Sequence, residues 1–440
     1  MRRYPQAHGL TGSGGRVTRI RTTVVLGTLL AVVLTACDSG GGASKAASRP
    51  STTTTSRPAV DGTLSLGQLA PVTGPVSSIA SSFITPVQLA VDEMNVSGGV
   101  NGKPVTVTVA DDASAIPTAR AALDALVTNH KVDAVIGPSS SEVARSIMPD
   151  LPGKHVVVCS GSNTAGALSQ VDSGGYYFRT APPDRLQALA LARLVAAGKH
   201  TRPAVLAPDD TYGAAFGTAV TAAMRARGLR PTFTRAATGD ATAAVTRALR
   251  ANPDAVVLVG FPDTVAPILK ALVAAGKGPT QFPVYGSDGL QTADLGPLVD
   301  PANPAVVAAM TGTTPAGAPA GIDHPFFGRM LAAGVEPFFS ASAYDCTILI
   351  GLAAIAAKTD DADAIRTHIA PLLRGRNDCH TFAECAVLLR AKKTIHYRGA
   401  FSAYDRWQGD EPGSGVYDVW TMGLDAQPVV SPPTAQIAVP

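Results

Sequence analysis

The sequence predicts an α/β protein of two lobes, each built on a parallel sheet with helices on both faces. Three observations carry this. From residue 62 onward, short Val-rich apolar runs alternate with Ala-rich amphipathic stretches, the pattern of parallel strands covered on both sides. About 380 residues follow it, more than one core comfortably holds. Of the 440 residues, 46% are hydrophobic, 16% charged and only 5% aromatic, so a large aliphatic core is available.

The elements follow in order. Thr63–Ala70 is the first apolar strand, and Ile84–Asn95 the first amphipathic helix. Strand Pro104–Ala110, helix Ile116–Asn129 and strand Ala134–Gly137 continue the alternation. Ser139 and Glu142 fit the S-x-x-E capping box and open a helix Glu142–Pro149. Strand Val156–Cys159, helix Arg185–Ala197 and strand Ala204–Leu206 come next, and Asp210 is a natural N-cap for the helical stretch through Phe216–Gly228. Helix Thr242–Ala251, strand Ala255–Gly260, helix Val265–Ala275 and strand Val284–Gly286 follow. Helices Ser342–Ala357, Ala362–Leu372 and Phe382–Leu389 and a strand Val416–Trp420 close the pattern. No internal sequence repeat is visible.

The N-terminus is not part of this pattern. Arg16, Arg19 and Arg21 precede an apolar run, Val24 to Leu34, too short to span a bilayer. Leu34-Thr35-Ala36-Cys37 then resembles a bacterial lipobox, which implies cleavage after a signal peptide of residues 1–36 and lipidation of Cys37. An ordinary signal peptide with an incidental Cys is the other reading. Residues 37–61 are rich in Gly, Ser and Thr with almost no bulky apolar side chain. Such a segment cannot repay the entropy of ordering and reads as a flexible tether with a reach of roughly 25 Å. The formal net charge of +3 comes from the leader. It holds five arginines and no acid, which leaves 31 basic and 33 acidic residues beyond it, net −2. That argues against broad electrostatic binding to nucleic acid. No apolar run reaches the roughly 18 residues of a membrane span, so a multi-pass membrane protein is excluded. The expected place is outside the cytoplasm, anchored to the outer face of the cell membrane.

Cys379 and Cys385, six apart, favour a local disulfide in an oxidising compartment. A metal site including His380 or His396 is the competing reading, without a second Cys pair to support it. Cys159 and Cys346 read as small buried residues.

Parallel sheets bind ligands at the carboxyl ends of their strands. Here those turns are rich in hydroxyls: Gly137-Pro138-Ser139-Ser140-Ser141 and Cys159-Ser160-Gly161-Ser162-Asn163-Thr164. Either one alone also reads as a capped helix or a polar loop. Together, two successive turns of hydroxyl and N–H donors point to one anionic group. Asp209-Asp210-Thr211-Tyr212-Gly213, Gly260-Phe261-Pro262-Asp263 and Gly286-Ser287-Asp288-Gly289 end later strands. Asp288 is placed to accept hydrogen bonds from a ligand cation or reads as a turn Asp beside Gly289, and Tyr212 either points into a crevice or packs in the first turn of its helix. Enzyme signals are weak: there is no G-x-S-x-G elbow, Walker A loop, H-E-x-x-H, or G-x-G-x-x-G after a strand. Neither a catalytic set nor a metal or cofactor site is expected.

Taken together these segments resemble the substrate-binding lipoproteins of ABC importers, of the branched-chain amino-acid binding type (periplasmic binding protein type I). The resemblance covers residues 62 to 425. It rests on Gly67-Gln68-Leu69-Ala70-Pro71-Val72-Thr73-Gly74-Pro75, Gly98-Gly99-Val100-Asn101-Gly102-Lys103, Asp111-Asp112, Gly137 to Ser141, Phe178-Arg179-Thr180, Tyr212-Gly213 and Ala341-Ser342-Ala343-Tyr344-Asp345. Cys379 and Cys385 followed by Tyr397-Arg398-Gly399 also look like actinobacterial versions.

The resemblance implies a hinge crossed three times. One lobe would be 62–181 with 312–400, the other 182–311 with 401–425, leaving 426–440 as a C-terminal tail. It implies that Ser140, Ser141, Ser162 and Thr164 hold a ligand carboxylate, that Asp288 meets its ammonium, and that Tyr212 closes over it. Phe261 stands where the family often has Tyr, and the stretch Pro75 to Ile79 lacks an aromatic sometimes found there. The implied function is a solute receptor that binds an amino acid, an amide or a related small molecule by hinge closure and delivers it to the permease subunits of an ABC transporter. A ligand sensor of the same fold is the first rival, and a secreted amidase or esterase the second.

Overall fold

The computed structural model describes residues 60–74, 77–317, 323–335 and 339–440. Cys37, the leader, nearly all of the tether and Pro75-Val76 lie outside the described residues.

The first lobe is a five-stranded parallel sheet of β1 (Ser65–Ala70), β2 (Thr106–Asp111), β3 (Ala134–Ile136), β4 (Val157–Ser160) and β5 (Tyr177–Arg179), in the order β2-β1-β3-β4-β5. Pairing of Ile136 with Cys159 levels the ends of β3 and β4, so their exit turns emerge side by side. The second lobe begins with β6 (Pro203–Pro208), β7 (Thr232–Ala236), β8 (Ala255–Leu258), β9 (Val284–Gly286) and β10 (Thr311–Pro315). Their order, β7-β6-β8-β9-β10, repeats that of the first lobe, although no sequence repeat announces it. Two small ribbons follow, β11 (Asn377–Cys379) with β12 (Ile395–Tyr397), and β13 (Trp407–Gln408) with β14 (Glu411–Pro412). The chain then returns to the second sheet as β15 (Gly415–Met422), with β16 (Pro428–Val430) and β17 (Ile437–Val439) beside it.

The expected architecture of two lobes and three crossings is present, with three differences. The second sheet is mixed, because β15 runs antiparallel to β10. The lobe boundaries move: β10 pairs with β9 and belongs to the second lobe. Phe401, Tyr404 and Trp407 pack into the core of the first. Residues 426–440 are not a free tail, since β16 and β17 complete the second sheet.

Helix Ser340–Ala357 explains much of the first lobe's cohesion. It is apolar on every side and buried almost throughout, packed among β3, β4 and helix Ala80–Val96. By length and composition it would pass for a membrane span, but here it is a core helix. Each fully buried Leu or Ile on it contributes about 1.5–3 kcal/mol. Its one acid, Asp345, is wholly buried, and both oxygens are satisfied by Tyr397 Oη, Tyr404 Oη and the N–H groups of Ala400 and Phe401. This carboxylate pins the stretch 397–404 onto the first lobe. The second sheet carries an apolar cluster on each face.

Candidate functional site

The first-lobe side of the site is the pair of turns leaving β3 and β4. The helix after β3 spans Ser141–Ile147, and its N-cap is Ser140, whose Oγ accepts from Val143 N at 3.4 Å. The cap expected at Ser139 is therefore one residue later; three consecutive serines leave that register open in sequence. Ser139 Oγ is instead buried without a protein partner and lines a small cavity with Gln68, Phe83, Ser160, Gly161 and Ser162. Ser140 keeps its own hydroxyl hydrogen free to donate. So does Ser141, whose Oγ accepts from Ala165 N at 3.4 Å.

Ser162 differs from its expected role. Its hydroxyl donates to Ser139 O at 3.1 Å, as does Asn163 Nδ2 at 2.8 Å. Its hydrogen thus braces one turn against the other and is not presented to the cleft. Ser160 Oγ donates to Pro138 O and accepts from Ser162 N and Asn163 N, which stiffens the same loop. Gly161 is required by close approach: a Cβ there would meet Ala343 N at 2.4 Å. Thr164 is buried, and its carbonyl accepts from Asp184 N at 2.8 Å, where the chain enters the second lobe. Behind this loop, Cys159 forms a disulfide with Cys346 of the core helix. The short Cys379–Cys385 bridge is also formed, with its sulfurs 2.10 Å apart. Among the described residues, no group of three or more His, Cys, Asp or Glu is placed to hold a metal ion.

The second-lobe side is acidic. Tyr212 lies in the first turn of helix Thr211–Ala226, capped as expected by Asp210, whose Oδ1 accepts from Gly213 N at 2.6 Å. Tyr212 Oη donates to Asp288 Oδ1 at 3.0 Å. The Phe261 ring lies 4.9 Å from the Tyr212 ring and is 53% exposed, an aromatic lip on the cleft. Gly289 makes room for it, since a Cβ would meet Phe261 Cδ1 at 2.9 Å as well as Gly260 O at 2.6 Å. Asp288 is buried, and burial pushes its carboxyl above the ordinary range, against hydrogen bonds from the Tyr212 and Gln187 side chains that favour the charged form.

A second acid escaped sequence reasoning. Asp184, 3% exposed, opens helix Asp184–Ala197. Burial, and then the negative charge of Asp288, push its carboxyl up to about 7, against the Thr164 side chain and the Arg179 charge. Its Oδ1 is buried without a protein partner, as are Gln187 Oε1, Thr313 Oγ1 and Tyr417 Oη. Gln187 Nε2 donates to Thr313 O at 2.8 Å, which turns the amide oxygen away from that strand. The only sequence signal for Asp184 was an acid at a helix start, which reads equally as a partner for the helix dipole. Neutral hydroxyl and N–H donors thus line one lobe, and two buried acids with unpaired oxygen atoms around them line the other.

Comparison with known proteins agrees with this architecture. A family model described as periplasmic binding protein matches residues 63–417. The chemotactic signal transduction system substrate-binding protein BasB of Halobacterium salinarum is 25% identical over 364 residues, 80% of this chain and 85% of that protein. The Leu/Ile/Val-binding protein BraC3 of Rhizobium johnstonii is 27% identical over 242 residues, 54% of this chain and 65% of its own length. Among solved structures, the branched-chain amino acid transporter substrate-binding protein LivJ of Streptococcus pneumoniae, in complex with isoleucine, superposes with a TM-score of 0.64 at 21% identity, covering 86% of this chain and 99% of that one. A solute-binding protein of an ABC transporter from Rhodopseudomonas palustris, in complex with p-hydroxybenzoic acid, superposes at 0.62 with 15% identity over 82% of this chain and 93% of its own.

Proposed function

The chain belongs to the periplasmic binding protein family, and from the site it builds we propose that it is an extracytoplasmic receptor for an amino acid or a closely related zwitterion, delivered to an ABC permease. The observation that carries this reading is the chemical opposition of the two lobes. A carboxylate fits the N–H and hydroxyl donors at Ser139, Ser140, Ser141 and Thr164. An ammonium fits between Asp184 and Asp288, where it would meet the unpaired oxygens of Asp184, Gln187 and Tyr417. The acids also favour a zwitterion over a purely anionic aromatic acid of the kind bound by one structural neighbour: an ammonium stabilises their charged forms, whereas an anion would add negative charge to a cleft where burial already raises both carboxyls. A ligand that contacts both lobes only when they meet stabilises the shut state, so hinge closure follows from binding. No turnover is part of this reading. Cys37 would tie the protein to the outer face of the membrane through the tether 37–61.

The test is a thermal-shift screen of the protein against L-leucine, L-isoleucine, other amino acids, amides, small polyamines and p-hydroxybenzoate, since a ligand of the native state raises Tm. A response to zwitterions alone supports the proposal, and a response to p-hydroxybenzoate alone sinks it. The similarity to BasB supports a second reading, a receptor presenting its ligand state to a signalling partner. Co-purification with a permease or with a transducer separates the two.

A further inference from the structure

The first and third hinge crossings meet on one carboxylate. Arg179 closes β5, just before the chain leaves the first lobe, and is 1% exposed. All five of its guanidinium hydrogens are used. Nε and Nη2 donate to Glu411 Oε2 at 3.0 and 2.6 Å, Nη1 to the carbonyls of Asn163 and Ala165 at 2.9 and 3.0 Å, and Nη2 to Ser169 Oγ at 2.9 Å. Those two carbonyls flank Thr164, so the guanidinium sets the backbone of the ligand loop. The other oxygen of Glu411 accepts from Arg185 Nη2 at 3.0 Å. Arg185 lies in the first turn of Asp184–Ala197, the first element of the second lobe.

We propose that Glu411 is a positioning residue that couples the ligand loop of the first lobe to the angle of the second, through Arg179 on one side and Arg185 on the other. The two halves differ in strength. Breaking the Arg179 half would strand a buried guanidinium, which is strongly unfavourable. Arg185 is 42% exposed and its half is weak. Glu411 therefore stays with the ligand loop, and the Arg185 contact is the adjustable one that responds when the second lobe rotates. Because Asp184 N also donates to Thr164 O, movement of that helix start is felt in the loop.

The test needs no ligand for its first arm. Spin labels are placed through Thr128→Cys and Thr246→Cys, exposed positions on helices of different lobes, and the inter-label distance distribution is measured in the ligand-free protein. Arg185→Ala should shift or broaden that distribution while leaving Tm nearly unchanged; superimposable distributions overturn the proposal. Glu411→Gln should change it more, and if that variant does not fold the Arg185 arm decides alone. The second arm rests on the receptor reading and uses L-leucine. Arg185→Ala and Ser141→Ala should be non-additive in Kd by about twofold or more, and additive losses would overturn the coupling to the loop. Failure of wild-type protein to bind L-leucine counts against the amino-acid reading, and the distance arm still decides the role of Glu411.

Discussion

Tyr212 Oη donates to Asp288 Oδ1 at 3.0 Å, from the turn after a different strand. One oxygen of that carboxylate is therefore oriented by the protein itself, before any ligand arrives. Two strand ends of one sheet cooperate to present a single acceptor, which is how a doubly wound sheet builds a site.

The first prediction compares the two lobes. A charge-assisted hydrogen bond in a closed cleft is worth more than a neutral one, and its loss leaves the ligand ammonium buried with less compensation. Asp288→Ala should weaken L-leucine binding more than Ser141→Ala, by at least about 1 kcal/mol. Calorimetry reads this. Equal losses would mean that no ammonium sits at Asp288.

The second concerns pH. The Asp184 carboxyl, pushed up to about 7, binds a proton in the folded state that the unfolded chain has already released. A raised carboxyl makes stability fall as pH rises from about 4 to about 7. The loss is absent below that window and complete above it. Asp184→Asn should flatten this part of the Tm-versus-pH curve of the ligand-free protein. An ammonium beside the pair favours the charged form, so affinity for L-leucine should rise over the same window. A wild-type curve already flat between pH 4 and 7 would refute the assignment.

The third concerns the cysteines. The Cys159–Cys346 bridge spans 187 residues and the Cys379–Cys385 bridge only 6. On the chain-entropy account the long one stabilises by on the order of 5 kcal/mol and the short one by about 2–3. Cys346→Ala with Cys159→Ala should lower the denaturant midpoint more than the Cys379/Cys385 double variant does. It should also weaken ligand binding, since Cys159 immediately precedes Ser160. Alkylation of the exported protein under non-reducing conditions should leave all four of these thiols unmodified.

The fourth concerns the anchor. Cys37→Ala should release the protein into the medium or leave an uncleaved precursor. Fractionation followed by intact mass decides. Processing and membrane retention like wild type would rule out the lipobox reading.

Most long elements were legible because burial on both sheet faces writes itself as continuous apolar runs. The strands that were missed are short or weakly apolar. Tyr177-Phe178-Arg179 is only three residues long, Thr232 to Ala236 lies at the sheet edge, and Thr311 to Pro315 contains no large aliphatic residue. Their identity comes from neighbours far away in the chain. The same holds for the site. Tyr212 and Asp288 stand out in the sequence because each follows a strand end, whereas Asp184 required seeing that a helix start faces a distant turn. Ser162 lies in the expected loop, yet the direction of its hydrogen depends on Ser139 O, which only the register of β3 with β4 brings near.

The Cys159–Cys346 bond has a further result. Much of the second lobe, including β6 to β10, is an excursion between two covalently tied points of the first. A protease cutting once anywhere from 160 to 345 would produce a nicked protein whose two pieces remain one molecule until a reductant is added. Such a cut would leave the piece that carries Cys159 still holding the piece that carries Cys346. A single band under non-reducing electrophoresis that splits into two on reduction would be its mark.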